Sequence, residues 1–180
     1  MNTREYCFVS VFTSLAIACR VAKNVVTSLQ FVNIPLVFTF STATLISPVA
    51  GALVGFFSML ISDIIIAPGP WTIIDSVLAG LSGFIVGKIF RCTRINIAEN
   101  KWGSFVVIFL TMFLVYDFMS SFAFYILFTG NVISSAALAL LGLFIPVYGG
   151  CYIGIGPLTE FTTVSLTMAI STICQKIVDG

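Results

Sequence analysis

Five charged side chains interrupt the long apolar runs of this sequence: Arg20, Asp63, Asp75, Asp117 and Glu160. A charge held inside a bilayer is expensive and defaults to a role in handling a ligand, ion or proton, with a partner close by. The chemistry open to these groups is narrowed by what the chain lacks. It contains no histidine, which removes Ser-His-Asp and Cys-His nucleophilic catalysis, histidine-bound zinc and histidine proton relays together. The five cysteines are Cys7, Cys19, Cys92, Cys151 and Cys174; no two are spaced C-x-x-C, and all but Cys92 sit in apolar surroundings. They read as small apolar fillers and not as disulfide or metal residues. There is no Walker A pattern, so the chain does not use ATP by that route. It is not expected to be an enzyme, nor to hold a metal or cofactor.

The elements that must position these charges follow from composition. Of 180 residues, 59% are hydrophobic and 8% charged, against about 25% charged in soluble domains. A chain this poor in polar surface is solvated by lipid, so the fold class is an all-α membrane protein, one integral membrane domain over residues 1–180. A formal charge of +1 offers no field for nucleic acid. Apolar length predicts six transmembrane helices: Glu5 to Lys23, a short one from Ile34 to Ile46 opened by Pro35, Pro48 to Ile66, Trp71 to Phe90, Trp102 to Phe128 and Leu158 to Ile177. Residues Asn24 to Asn33 form a polar connection, Ala67-Pro68-Gly69-Pro70 a forced break, and Lys88 to Lys101 a charged segment in water. Between the last two helices, Val132 to Tyr148 is expected as a short re-entrant or surface hairpin, with a seventh span as the alternative, followed by a glycine-rich stretch from Gly149 to Pro157. The stretch from Arg4 to Cys19 also has the look of a signal peptide; it is read as the first span because no soluble domain follows.

Charge sets the orientation. With six spans and the N-terminus inside, Arg4, Lys88, Arg91, Arg94, Lys101 and Lys176 face the cytoplasm and only Arg20 and Lys23 face outward, in line with the positive-inside rule. The expected location is the plasma membrane, multi-pass, with both termini cytoplasmic. All five intramembrane charges then fall in the outer half and the inner halves are bland. This points to a polar cavity open to the outside, roofed by the Asn24–Asn33 connection and the Pro68–Pro70 turn. The alternative is solvation at the headgroup level with Arg20 paired to one acid, which Asp117, the deepest, fits worst. Trp71 and Trp102 read as interfacial anchors, although Trp71 can stack on a flat ligand if it faces the cavity. Small residues recur at packing intervals: Ala18 and Ala22, Gly51 and Gly55, then Gly80, Gly83 and Gly87.

Val115-Tyr116-Asp117 is similar to the first aspartate motif of intramembrane aspartyl proteases, but Gly154-Ile155-Gly156 runs into Pro157 where the second carboxylate belongs, and one aspartate makes no dyad. A broader resemblance is carried by Ala16-Ile17-Ala18-Cys19-Arg20-Val21-Ala22, by Asn33-Ile34-Pro35, by Ser47-Pro48-Val49-Ala50-Gly51 continuing to Gly55, by Ser62-Asp63 with Pro68-Gly69-Pro70-Trp71-Thr72 and Gly80-Leu81-Ser82-Gly83, and by Tyr116-Asp117-Phe118-Met119-Ser120-Ser121. In this order and spacing, from about Ser14 to Ser121, the chain resembles the substrate-binding S components of energy-coupling factor (ECF) vitamin transporters. The part from Val132 to Pro157 matches poorly and lacks the asparagine that many relatives carry before the last helix. The resemblance implies a six-helix bundle that captures a vitamin or related micronutrient from outside, then docks on a transmembrane coupling subunit driven by two cytoplasmic ATPases and topples to deliver it. It implies that Ala18 and Ala22 form the docking face. The missing histidine argues against a cobalt- or nickel-type substrate.

The expected ligand pocket comprises Arg20, Asn24, Gln30, Asn33, Trp71, Asp75, Asp117 and Tyr125, polar groups fixing orientation and aromatics supplying stacking area. Four acids against two bases favour a neutral or cationic ligand, and the Gly69-Pro70-Trp71-Thr72 segment points to a cobalamin- or queuosine-like molecule. Two other classes stand beside this one: a self-contained ion-coupled transporter or channel using Asp117 and Glu160, and a structural or assembly subunit that binds no ligand.

Overall fold

The computed structural model describes residues 2–27, 29–144, 147–149, 152–154 and 156–179; Ser28 and Cys151, read above within the polar connection and as an apolar filler, lie outside the described residues. Helix α1 (Thr3–Val26) is followed by a two-residue strand, β1 (Leu29–Gln30), the short α2 (Ile34–Leu45), α3 (Pro48–Ile66) and α4 (Pro70–Thr93). Then α5 (Lys101–Thr111), a π-helical segment (Met112–Phe118) and α6 (Met119–Thr129) run on as one rod. After α7 (Val132–Gly142) come strands β2 (Val147–Gly149) and β3 (Tyr152–Gly154), then α8 (Gly156–Asp179). Among the described residues, four helical rods are long and apolar enough to cross a membrane: α1, α3, α4 and the 29-residue Lys101–Thr129 rod. The chain is an all-α membrane protein in everything but one small sheet.

Punctuation in the sequence sets the boundaries. Asn33 and Ser47 cap α2 and α3, accepting from the amides of Leu36 and Ala50, and Pro35, Pro48 and Pro70 occupy first-turn positions where no amide is needed. Asn131 caps α7 through the amides of Ile133 and Ser134. At 11 residues, α7 rises about 17 Å and, like the 12-residue α2, is shorter than a hydrocarbon core of about 30 Å. The glycine-rich stretch instead forms a hairpin of β2 antiparallel to β3, and β1 pairs parallel to β3 with Gln30 opposite Gly154.

The bundle is apolar outside. Ile64, Ile65, Ile73, Val77, Leu114 and Ile173 are exposed, where acyl chains would cover them. Its core holds Leu36, Phe40, Met59, Val86, Ile108 and Met112. The interior is not bland, however. Buried Ser and Thr run through both ends of the bundle, and several turn their hydroxyls back onto the carbonyl four residues earlier, as Thr39 does to Pro35 (2.7 Å), Thr111 to Val107 (2.8 Å) and Thr167 to Thr163 (2.8 Å). Back-bonding satisfies the hydroxyl within its own helix and keeps the side chain small enough for close packing. The four described cysteines are free thiols, with Cys7, Cys19 and Cys92 exposed. Cys174 is half-buried, and the three exposed thiols do not fill the core, contrary to the reading of the cysteines as small apolar fillers.

The α3–α4 contact rests on glycine. A Cβ on Gly55 would lie 2.6 Å from the Ala79 carbonyl oxygen, and one on Gly83 would lie 2.6 Å from Thr39 Cγ2 and 2.9 Å from the Gly51 oxygen. Backbone meets backbone there, so neither site can yield by rotating a side chain. Gly55→Leu is therefore expected to lower stability by about 2 kcal/mol or more, measured by denaturant unfolding in detergent. Val77→Leu, on the exposed side of α4, should change it by less than about 0.5 kcal/mol.

Candidate functional site

The charged residues gather at the end of the bundle where α1 and α3 finish and α4 and α8 begin. The opposite end carries Arg4, Lys88, Arg91, Arg94, Lys101 and Lys176 at helix termini and connections. On α3, Met59, Ser62 and Asp63 stand at i, i+3 and i+4 and so share one face. Arg20 reaches that face from α1. Its Nη2 lies 2.7 Å from Asp63 Oδ1, and its Nη1 donates to Ser62 Oγ at 2.6 Å and meets Met59 Sδ at 3.1 Å. Arg20 and Asp63 are both buried. The Met59 sulfur also receives the Tyr116 hydroxyl at 3.9 Å, which ties the π-helical segment to the same group.

From this pair the cluster continues across three more elements. Asp75 on α4 lies within electrostatic range of both Asp63 and Arg20. Asp117 is in range of Asp75 and within hydrogen-bonding reach of Glu160 on α8. Two carboxyl groups bond to each other only through a shared proton. Oδ2 of Asp63, Oδ2 of Asp117 and Oε2 of Glu160 are buried and receive no hydrogen bond from any amide or donor side chain among the described residues. Acceptors are thus in surplus here and donors are spent. No group of three His, Cys, Asp or Glu among the described residues is arranged to hold a metal ion.

Two local devices aim the acids. Tyr116 and Asp117 are consecutive and point to different neighbours, Tyr116 to Met59 and Asp117 to Glu160. They sit in a seven-residue π segment, an insertion found frequently at functional sites. Glu160 is held by the turn around it: the Thr159 hydroxyl donates to the Gln30 carbonyl, the Thr162 hydroxyl to the Phe31 carbonyl, and the Asn33 amide to Thr163 Oγ1 at 2.9 Å. The α1–α2 connection is thereby sewn to the start of α8.

Trp71 stands one helical turn before Asp75 on α4. It is half-buried, its Nε1 donates to the Ala67 carbonyl at 3.2 Å, and its ring centre lies 6.2 Å from that of Phe124. Tyr125 packs edge-on to Phe124 at 5.8 Å and Phe128 lies 4.7 Å from it. Trp102, by contrast, is 82% exposed at the start of α5, the position of an interfacial anchor.

Of the expected pocket residues, the structure brings together Arg20, Asp75 and Asp117, with Trp71 and Tyr125 in the adjoining aromatic group. Asn24 is half-exposed on the last turn of α1. Gln30 and Asn33 are engaged otherwise: Gln30 pairs its backbone with β3 and accepts from Thr159, and Asn33 caps α2 and bonds α8. The cluster adds Met59, Ser62, Asp63, Tyr116 and Glu160. The i, i+3, i+4 spacing on α3 was a signal for the first three. Ala18 and Ala22 are exposed on α1, on the side turned away from buried Thr13, Ala16 and Arg20.

Removing Arg20 strands a buried carboxylate, whereas removing both members leaves an apolar contact. Arg20→Met is expected to cost about 3 kcal/mol or more and Arg20→Met with Asp63→Leu to recover most of it, read as a double-mutant cycle of unfolding in detergent.

A family model described as ECF-type riboflavin transporter, S component, matches residues 1–155. The match extends past Ser121 and takes in the α7 and hairpin region, which the sequence motifs left as a poor fit; it ends before α8. Neither the curated proteins nor the solved structures contain a match to the chain.

Proposed function

The chain belongs to the ECF-type riboflavin transporter S-component family, and from that premise we propose that it captures a riboflavin-like vitamin at the acidic end of its bundle. Family membership makes it a membrane-embedded, non-enzymatic substrate-binding subunit of an ECF-type importer. The observation that supports the finer reading is the meeting of two surfaces of different chemistry. Trp71 and Phe124 offer flat aromatic area, and one turn away Asp75 leads to Asp117 and Glu160, which offer unsatisfied acceptors. A ligand with a planar ring system and a hydroxyl-bearing tail suits both. The riboflavin description of the family supports such a molecule over the cobalamin- or queuosine-like one expected from Gly69-Pro70-Trp71-Thr72.

In this reading the chain is one integral membrane domain and a six-helix bundle: α1, α2, α3, α4, the Lys101–Thr129 rod and α8, with α7 and the hairpin packed at the binding end. The basic end faces the cytoplasm with both termini, by the positive-inside rule, and the acidic end faces outward in the plasma membrane. Ligand held there is carried inward when the chain docks on a transmembrane coupling subunit powered by two cytoplasmic ATPases. The exposed Ala18 and Ala22 give a smooth strip against which a partner helix can pack closely.

Purified chain in detergent should be stabilised by riboflavin in a vitamin panel, by about 2.7 kcal/mol at a hundredfold excess over Kd, read as a rise in melting temperature. No shift with any vitamin contradicts the capture role and favours an assembly subunit. Ala18→Trp should abolish copurification with the coupling subunit and ATPases while the riboflavin-dependent shift persists. Uptake by the purified chain alone in liposomes, lost in Asp117→Asn, would instead establish an ion-coupled transporter.

A further inference from the structure

The basic end of the bundle holds a cleft that the capture role does not use. Helix α2 stops at Leu45 and α3 starts at Pro48, while α4 runs on to Thr93. A Cβ on Gly87 would lie 2.6 Å from Pro48 Cα, so α4 meets the α2–α3 turn backbone to backbone there. Beyond that contact the last turns of α4 overhang the turn. The space between them is about 140 Å³, with Ala43, Ile46, Phe90 and Ile95 on its apolar wall and Ser47 and Arg91 among its polar members. Ser47 is 7% exposed. Its Oγ accepts from the Ala50 amide, which leaves the hydroxyl proton for another acceptor. Arg91 forms no ion pair or hydrogen bond with another described residue. The nearest acid in sequence, Glu99, accepts from Asn96 Nδ2 at 3.4 Å and belongs to its own loop.

An uncommitted guanidinium and a buried hydroxyl donor at the mouth of an apolar cleft suit a phosphate with hydrocarbon attached. Lys88 and Phe84 precede Arg91 by three and seven residues, on the same face of α4, and the Lys88 ammonium lies 5.9 Å from the Phe84 ring centre. Val77, seven residues further back, continues this stripe, and both Phe84 and Val77 are exposed. Donors thus sit at the helix end, and apolar surface for acyl chains runs from them toward the middle of the bundle. We propose that this cleft binds the headgroup phosphate of an anionic phospholipid, held by Arg91 and Ser47 with Lys88 beside them, its chains lying along α4. Arginine meets phosphate through two N–H donors in a fixed fork, and basic residues at the membrane surface add attraction for anionic lipid. The site is independent of what is bound at the acidic end.

Native mass spectrometry of the purified full-length chain in detergent, supplied with phosphatidylglycerol or with phosphatidylcholine of the same acyl chains, counts the lipid retained. The expected result is a preference for phosphatidylglycerol of at least about tenfold. Arg91→Gln, at an exposed position, is expected to cut that preference by about fivefold or more. Lys101→Gln removes the same charge outside the cleft and should cut it by less than about twofold. Inorganic phosphate, equimolar with the lipid, should displace none of it. Equal retention of the two lipids overturns the proposal, as do equal losses in the two variants, which would assign the preference to the charge of the whole end. Displacement by inorganic phosphate also overturns it and reassigns the cleft to a free anion. Loss of copurification with the coupling subunit in Arg91→Gln, with lipid retention unchanged, overturns it in favour of a protein contact.

Discussion

A guanidinium placed among apolar helices must find an anion, because neither lipid nor the packed core can solvate it. Arg20 finds Asp63 at 2.7 Å, and much of the architecture follows from that contact. It fixes the rotation of α1 about its own axis. With Arg20, Ala16 and Thr13 turned to α3, the opposite side of α1 presents Ala18 and Ala22 outward. A single side-chain pair thus links the face proposed for docking to the group of charges proposed for binding. The same contact brings Ser62 and Met59 to Arg20, and Met59 brings Tyr116. The π segment is held in place through a sulfur.

Charge balance at this end is deliberately incomplete. The Arg20–Asp63 pair is matched, while Asp75, Asp117 and Glu160 add acceptors that no described donor satisfies at Asp117 Oδ2 and Glu160 Oε2. Such a cluster is poor at stabilising a fold and suited to receiving a ligand that brings its own donors. The sewing of the α1–α2 connection to α8 through Thr159, Thr162 and Thr163 gives the cluster rigid surroundings. A ligand then meets preformed acceptors and less ordering cost is incurred on binding.

Much of the fold was legible because lipid imposes simple rules. Apolar length located α3 to the residue and the other long helices within a few, and proline with Asn or Ser marked their starts. Glycine spacing identified the α3–α4 contact. The sheet was not legible, since strands of two or three residues carry no periodicity and β1 is far in sequence from its partner β3. The π segment was invisible for a related reason: Met112 to Phe118 reads as ordinary apolar helix, and the insertion is a response to packing. Charge inside apolar runs singled out Arg20, Asp75 and Asp117, which the fold gathers into one cluster. Polarity alone did not show that Asn33 caps α2 or that the backbone of Gln30 fastens the connecting loop to β3 and α8. Trp71 and Trp102 looked alike in sequence; only Phe124, 53 residues on from Trp71 and brought beside it by the fold, separates a ring available for stacking from one that faces the membrane surface.

The two tryptophans allow the central claim to be tested at once. With Trp102→Phe, Trp71 becomes the sole tryptophan; with Trp71→Phe, only Trp102 remains. Tryptophan emission is followed while each purified chain is titrated with riboflavin. If the acidic end is the binding site, Trp71 emission is quenched saturably and far more strongly than that of Trp102. Equal quenching of both, or stronger quenching of Trp102, would contradict the account.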